Sequence, residues 1–163
     1  EGFDIDASYQ LPTENWGTFT LQAETTYNIT FLQESIPGTG LQDKLGDFTD
    51  PSQGFGLGSI PRFKGIFRSI WDFKDLEFVA AANYIGAYRD DTNAGFDREV
   101  QDQVTFDLQA SYKLPWQTKV TVGVINVADA PPPLVQGAFA DNYDRDTHDI
   151  RGRFVYVSLN KKF

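Results

Sequence analysis

Apolar side chains recur at every second position in seven stretches of this sequence, and 3.6-residue periodicity is hard to find anywhere in it. A period of two marks a strand with one apolar and one polar face. Residues 3–11 set Phe3, Ile5, Ala7, Tyr9 and Leu11 against Asp4, Asp6, Ser8 and Gln10. Residues 18–31 set Phe19, Leu21, Ala23, Tyr27, Ile29 and Phe31 against Thr, Gln, Glu and Asn, with only Thr25 breaking the apolar series. Residues 62–73 turn Phe63, Phe67, Trp71 and Phe73 away from Arg62, Lys64, Arg68 and Asp72. Residues 76–89 oppose Leu76, Phe78, Ala80, Ala82, Tyr84 and Tyr88 to Glu77, Asn83 and Arg89, with Val79 and Ile85 diluting the polar side. Residues 104–114 are the cleanest: Val104, Phe106, Leu108, Ala110, Tyr112 and Leu114 oppose Thr105, Asp107, Gln109, Ser111 and Lys113. Residues 118–125 carry Val120, Val122 and Val124 on one side. The last stretch carries Val155, Val157 and Leu159 opposite Tyr156, Ser158, Asn160 and Lys162.

The connections take turns in length. Short turns are expected at 12–16, 74–75 and 115–117. Long connections rich in Gly, Pro, Asp and Asn are expected at about 34–60, 90–102 and 127–151. Strict alternation of short and long is what an up-and-down meander with one tight end and one loopy end produces. Transmembrane β-barrels have this asymmetry, with short periplasmic turns and long extracellular loops.

A soluble antiparallel sandwich or barrel also alternates, because its strands are half buried. Three features favour lipid outside the sheet. Most stretches hold about 9–14 residues, longer than the usual soluble strand and matched to a tilted bilayer crossing. Trp16, Phe19, Tyr27, Phe31, Trp71, Phe73, Tyr84, Tyr88, Tyr112 and Trp116 lie near stretch ends, where interfacial girdles hold aromatic rings. Glu24, Arg68 and Asp107 fall mid-strand on the polar side, which a wet or plugged lumen tolerates. Seven strands leave two edges. In lipid each edge exposes on the order of five backbone groups at several kcal/mol apiece, so further strands are expected from another chain or a longer polypeptide.

Composition narrows the classes. The 163 residues include no Cys and no Met, so a disulfide framework and a thiolate metal site are excluded, and a processed chain or a fragment is expected. No signal peptide and no apolar run of transmembrane-helix length is present. The net charge of -9 argues against a nucleic-acid partner, since phosphate contact needs clustered basic side chains.

The segment VTVGVINVADAPPP, then a loop, then RGRFVYVSLNKKF resembles the end of a TonB-dependent outer-membrane receptor. In that family the penultimate strand runs into an Asn-x-x-Asp motif followed by prolines, here Asn126, Asp129 and Pro131 to Pro133. A Gly-Arg pair opens the final strand, here Gly152 and Arg153, and the strand ends in Phe, here Phe163. Gly2 and Asp4 match the family's Gly-hydrophobic-Asp strand. Lys161 departs from the alternating apolar series of such terminal strands. Its stem can lie along apolar surface near the periplasmic interface while the ammonium reaches water. The resemblance implies an all-β fold, an antiparallel up-and-down transmembrane barrel of about 22 strands, of which residues 1–163 form the C-terminal seven. A plug domain and the remaining strands would lie upstream. It further implies a Gram-negative outer-membrane location, with the plug and other strands of the same receptor, TonB, lipid and lipopolysaccharide, and the barrel-assembly machinery as partners. The assembly signal would be Val155, Val157, Leu159 and Phe163.

Candidate sites are sparse. Arg62, Lys64 and Arg68 form a basic lumen-facing row able to attract an anionic substrate or an acidic plug surface, or to serve as structural ion pairs with Asp72 or Glu77. Asp141, Asp144, Asp146 and Asp149 cluster around the sole His, His148. Calcium takes such carboxylates, but the spacing matches no calcium loop, and a solvated acidic loop fits better. One His and no Cys make a poor zinc site. GTG and GFGLG within 34–60 lack the Lys-Ser/Thr ending of a phosphate loop and read as flexible loop. The three prolines suit an extended exit from a ladder. No catalytic constellation is present, and no enzyme activity, cofactor or metal is expected. Active uptake of a scarce nutrient (siderophore, cobalamin, glycan or peptide) through TonB is the leading function. A passive outer-membrane porin or small structural barrel is the alternative, and a soluble binding sandwich the third.

Overall fold

The computed structural model describes residues 1–34, 37–53, 56–91, 95–139 and 141–162. Seven long strands form one sheet: β1 (Gly2–Thr13), β2 (Gly17–Asn28), β3 (Phe63–Phe73), β4 (Leu76–Ile85), β5 (Gln103–Leu114), β6 (Thr118–Ile125) and β7 (Phe154–Lys161). Their order in the sheet is their order in the chain, and every neighbouring pair is antiparallel. This is the meander expected from the alternating connections. Tight turns close its short end, helped by left-handed backbone at Gly17, Lys74, Trp116 and Gln117.

The register joins the apolar positions across strand boundaries. One row runs Leu11, Phe19, Trp71, Phe78, Ala110, Val122 and Val157, each directly opposite the next. A single-residue slip in any pair would break this row, so the alternation itself selects the register. The opposite face carries a polar row of Pro12, Thr18, Asp72, Glu77, Ser111, Thr121 and Ser158.

Nothing among the described residues covers the apolar face. Tyr9 is 63 % exposed, Phe67 50 % and Val157 70 %. A soluble sandwich would bury these side chains against a second sheet, and the described residues supply no such sheet. The buried apolar core lies instead among the long connections: Phe48 from residues 29–62, Tyr88 and Val100 from 86–102, and Val135 and Ala138 from 126–153. Aromatic pairs mark both ends of the apolar band. Phe19, Trp71 and Phe73 stack at the short-turn end, with Trp71 Nε1 donating to the Trp16 carbonyl at 2.7 Å. Phe3 stacks on Tyr27, and Phe63 tilts against Tyr84, near the long-loop end.

Two expected strands are shorter than their alternation suggests. β2 stops at Asn28 because the amides of Ile29 and Thr30 both donate to the Glu1 carbonyl, drawing the chain off the ladder. β4 stops at Ile85, and Gly86 closes against the Phe63 carbonyl. Tyr88–Arg89 then pairs with Glu99–Val100. Within the 34–60 connection the described residues include two short elements, and the first two residues of GFGLG, Gly54 and Phe55, lie outside the described residues. Phe48–Thr49 pairs with Gly58–Ser59, and Pro51–Gln53 forms a 3-10 turn.

Candidate functional site

The polar face of the sheet is built from cross-strand pairs. Arg68 donates to Glu24, its neighbour on β2, and is engaged in an ion pair there rather than with the expected Asp72 or Glu77. Lys119 reaches Glu77 at 2.9 Å. Asp107 is shared: Asn83 Nδ2 donates to one oxygen and the Asn126 amide to the other, both at 2.8 Å. The hydroxyl end of the Tyr156 ring sits over Gly123 and donates to Gln109 at 2.8 Å. A Cβ on Gly123 would come within 2.5 Å of that hydroxyl, so the glycine makes the space that the ring fills. Arg62 stands just before β3, where its carbonyl accepts from Asn28, and Lys64 is half-buried near the long-loop end of the face.

At that end, polar groups weld three long connections together. Asp144 is only 1 % exposed and accepts from the Ser59 amide at 2.8 Å and hydroxyl at 2.5 Å. Gly58 permits this approach, since it has a φ of 72° and a Cβ there would meet the carboxylate at 2.9 Å. His148 is 5 % exposed and uses both ring nitrogens. Gln103 Nε2 donates to the Pro131 carbonyl, which turns Gln103 Oε1 toward His148 Nδ1 at 2.8 Å. That assigns the proton to Nδ1 and leaves Nε2 to accept from Tyr88 at 3.0 Å. Asp90, fully buried, accepts from the amides of Asp91, Gln136 and Gly137. The solvated-loop reading of 141–149 therefore holds for Asp141, Asp146 and Asp149, which are exposed, and fails for Asp144 and His148. Among the described residues no three acidic or histidine side chains converge as metal ligands.

Burial holds the His148 pKa below its ordinary value; Lys64 pushes the same way and Asp144 opposes. Burial, together with the Asp144 charge, also keeps the Tyr88 phenol protonated. A depressed histidine contributes stability that is present above its unfolded pKa of about 6.5 and is lost as pH falls through the folded value. Lowering the pH from 7.5 to 5 is expected to lower the protection factors of the amides in 126–139 and 141–153, each referred to the intrinsic exchange rate at that pH. His148→Gln is expected to flatten that response; an unchanged pH dependence in the variant would contradict it.

The Asn126, Asp129, Gly152 and Arg153 positions come together at the two feet of the last long connection. Asn126 ends β6 with a φ of 50°, and its amide both donates to and accepts from the Ala130 backbone, at 2.9 and 3.0 Å. Asp129 accepts from the Arg153 amide at 2.8 Å, and Arg153 Nε donates to the Val127 carbonyl at 2.8 Å. Gly152 has a φ of 65°, and a Cβ on it would lie 2.6 Å from the Asp129 carboxylate. The four residues thus clamp β6 to the start of β7. Val155, Val157 and Leu159 all stand exposed on the apolar face of β7. Phe163 lies outside the described residues.

Sequence reading missed the Gly123–Tyr156 pair, although a mid-strand glycine beside an aromatic on the same parity was its signal. It also missed the burial of Asp144 and His148, whose partners lie 85 and 45 residues away.

A family profile described as TonB dependent receptor-like, beta-barrel, matches residues 1–127. Among solved structures, the chain is similar to the siderophore receptor PiuA from Acinetobacter baumannii, with 16 % identity and a TM-score of 0.53. That likeness, one of fold, covers 92 % of this chain and 20 % of PiuA, so the chain spans about a fifth of the length of the structure it matches. No curated protein matches the sequence.

Proposed function

The chain belongs to the TonB-dependent receptor β-barrel family, and we propose that its 163 residues form the C-terminal wall of an outer-membrane transporter that imports a scarce nutrient with energy delivered through TonB. The family is one of receptors and transporters of the Gram-negative outer membrane rather than of enzymes. The observation that carries the reading is the family match over residues 1–127. An apolar band continuous over seven strands, with a charged and hydrogen-bonded face behind it, supports the same reading.

In this proposal the apolar face meets lipid and the polar face lines a lumen. The short turns are periplasmic, and the welded long loops are extracellular. Strand edges β1 and β7 pair with the other strands of a barrel of about 22, because open edges in hydrocarbon leave backbone groups without partners. A plug and a TonB-engaging segment belong to the same receptor. Lipid, lipopolysaccharide and the barrel-assembly machinery complete the partners, with Val155, Val157, Leu159 and Phe163 as the assembly signal. Arg62 and Lys64 remain the lumen candidates for an anionic substrate, whereas Arg68 is engaged by Glu24. The substrate classes are ferric siderophore, cobalamin, glycan and peptide.

Uptake by cells carrying the intact receptor tests the function. Accumulation is expected to stop when TonB is deleted or the proton gradient is collapsed. Accumulation that continues under both conditions would make the protein a passive porin.

A further inference from the structure

One turn of the last long connection lies across the polar face. Lys64 on β3 and Gln103 on β5 occupy a single row of that face, each directly opposite Ile85 of β4. They stand two strands apart, or about 10 Å. Both meet residues 144–148. Gln103 Oε1 accepts from His148 Nδ1 at 2.8 Å, and Lys64 lies within range of the charges of Asp144 and His148. The His148 amide donates to the Asp144 carbonyl at 2.9 Å, so the two side chains share one turn. Ser59 holds its Asp144 end and Tyr88 its His148 end. Residues 144–148 read Asp-Arg-Asp-Thr-His and include no apolar side chain. Polar bonds alone therefore fasten this turn, whereas Val135 and Ala138 anchor the same connection in the loop core.

The bonds as they stand require a neutral imidazole. Nδ1 donates to Gln103, and Nε2 accepts from the Tyr88 phenol. A second ring proton makes Nε2 a donor aimed at that same hydroxyl. The phenol must then turn toward Ser59, whose own proton already goes to Asp144. The charge also finds no counterion in contact. The groups around the ring are Lys64 from β3, Ser59 from residues 29–62, Tyr88 with Asp90 behind it from 86–102, Gln103 from β5, and Asp144 from its own connection. Asp144 is bonded to Ser59 and Asp90 to three amides, so neither carboxylate bonds the ring, and Lys64 repels it. An unpaired buried charge is costly, and solvent removes that cost once the turn swings out.

We propose that His148 is an acid-released latch: protonating it frees residues 144–148 from Ser59, Tyr88 and Gln103 and uncovers Lys64 and Gln103 on the polar face. The inference rests on the reading above, in which that face lines a lumen and the long connections are extracellular. Acid outside the cell then opens the way to Lys64, a lumen candidate for an anionic substrate.

Double electron–electron resonance between spin labels at Leu41→Cys and Arg145→Cys, in the intact receptor in lipid vesicles, tests this. Both positions are exposed. A single distance is expected at pH 7.5. At pH 5 a second, longer component is expected to grow severalfold and to disappear on return to pH 7.5. His148→Gln keeps an acceptor and a donor but takes no proton, and is expected to abolish the change. Lys64→Gln is expected to shrink it, because the protonated ring is then repelled less in the latched state and releases less readily. Identical distributions at the two pH values in the wild type would overturn the latch, as would a full response in His148→Gln. Should His148→Gln be released at both pH values, Lys64→Gln decides, and a response as large as that of the wild type would overturn the proposal. TonB-dependent uptake alongside any of these failures leaves the transport reading standing and removes the latch alone.

Discussion

Phe106→Lys is expected to cost the membrane-inserted protein about 2–4 kcal/mol, the penalty for a cation on the lipid face near the bilayer midplane. Phe106 lies in the apolar row of β5, directly opposite Ala82, and is half exposed among the described residues. In lipid its ring is solvated by acyl chains, and an ammonium there must drag water or snorkel to reach an interface. Thr20→Lys is the matched control. Thr20 faces the polar side between Gln10 and Ile70, so the same cation enters a wet lumen. Its expected cost is under about 1 kcal/mol, as for a surface substitution. Unfolding midpoints in lipid vesicles decide between them. Equal losses at the two positions would mean that the faces are not divided between lipid and water as described.

Gly123→Ala is expected to cost about 2–4 kcal/mol, the sum of overpacking and a lost hydrogen bond. The added methyl would occupy the space of the Tyr156 ring, which must then swing off β6 and give up its bond to Gln109. The decisive feature is a reversal of sign. In a Tyr156→Ala background the collision is gone, and alanine is then better than glycine in a strand by roughly 0.5–1 kcal/mol. The double-mutant cycle should therefore show strong coupling between positions 123 and 156. Additive effects would mean that the ring does not lie over the glycine.

Both effects trace to how a strand reads in sequence. The seven long strands were legible because each carries its own period of two, and the order of short and long connections determined the meander. Polar-face partners were less legible. Arg68 was expected to find Asp72 or Glu77, four and nine residues along, but it pairs with Glu24 through the β2–β3 register, 44 residues back. Alternation gives the face of a residue and says nothing of its neighbour until register is known. The loops were the least legible. Ile29 and Phe31 continue the apolar parity of β2 beyond the point where the chain leaves the ladder. Asp144 and His148 read as solvated because charged and titratable residues are seldom buried unless paired, and their partners come from other loops. The motif residues Asn126, Asp129, Gly152 and Arg153 were recognisable by resemblance alone; their clamp follows from left-handed backbone at Asn126, Asp129 and Gly152, which sequence does not announce.

Accessibility of spin labels along β5 in the intact receptor tests the transmembrane barrel segment most directly. The stretch holds no cysteine, so single cysteines at positions 104–113 can be labelled one at a time. Oxygen, which concentrates in lipid, is expected to relax labels at Val104, Phe106, Leu108, Ala110 and Tyr112 and to spare those at Thr105, Asp107, Gln109, Ser111 and Lys113, giving a period of two across the strand. Labels relaxed uniformly along β5, or more strongly on the Thr105–Lys113 parity, would contradict the account.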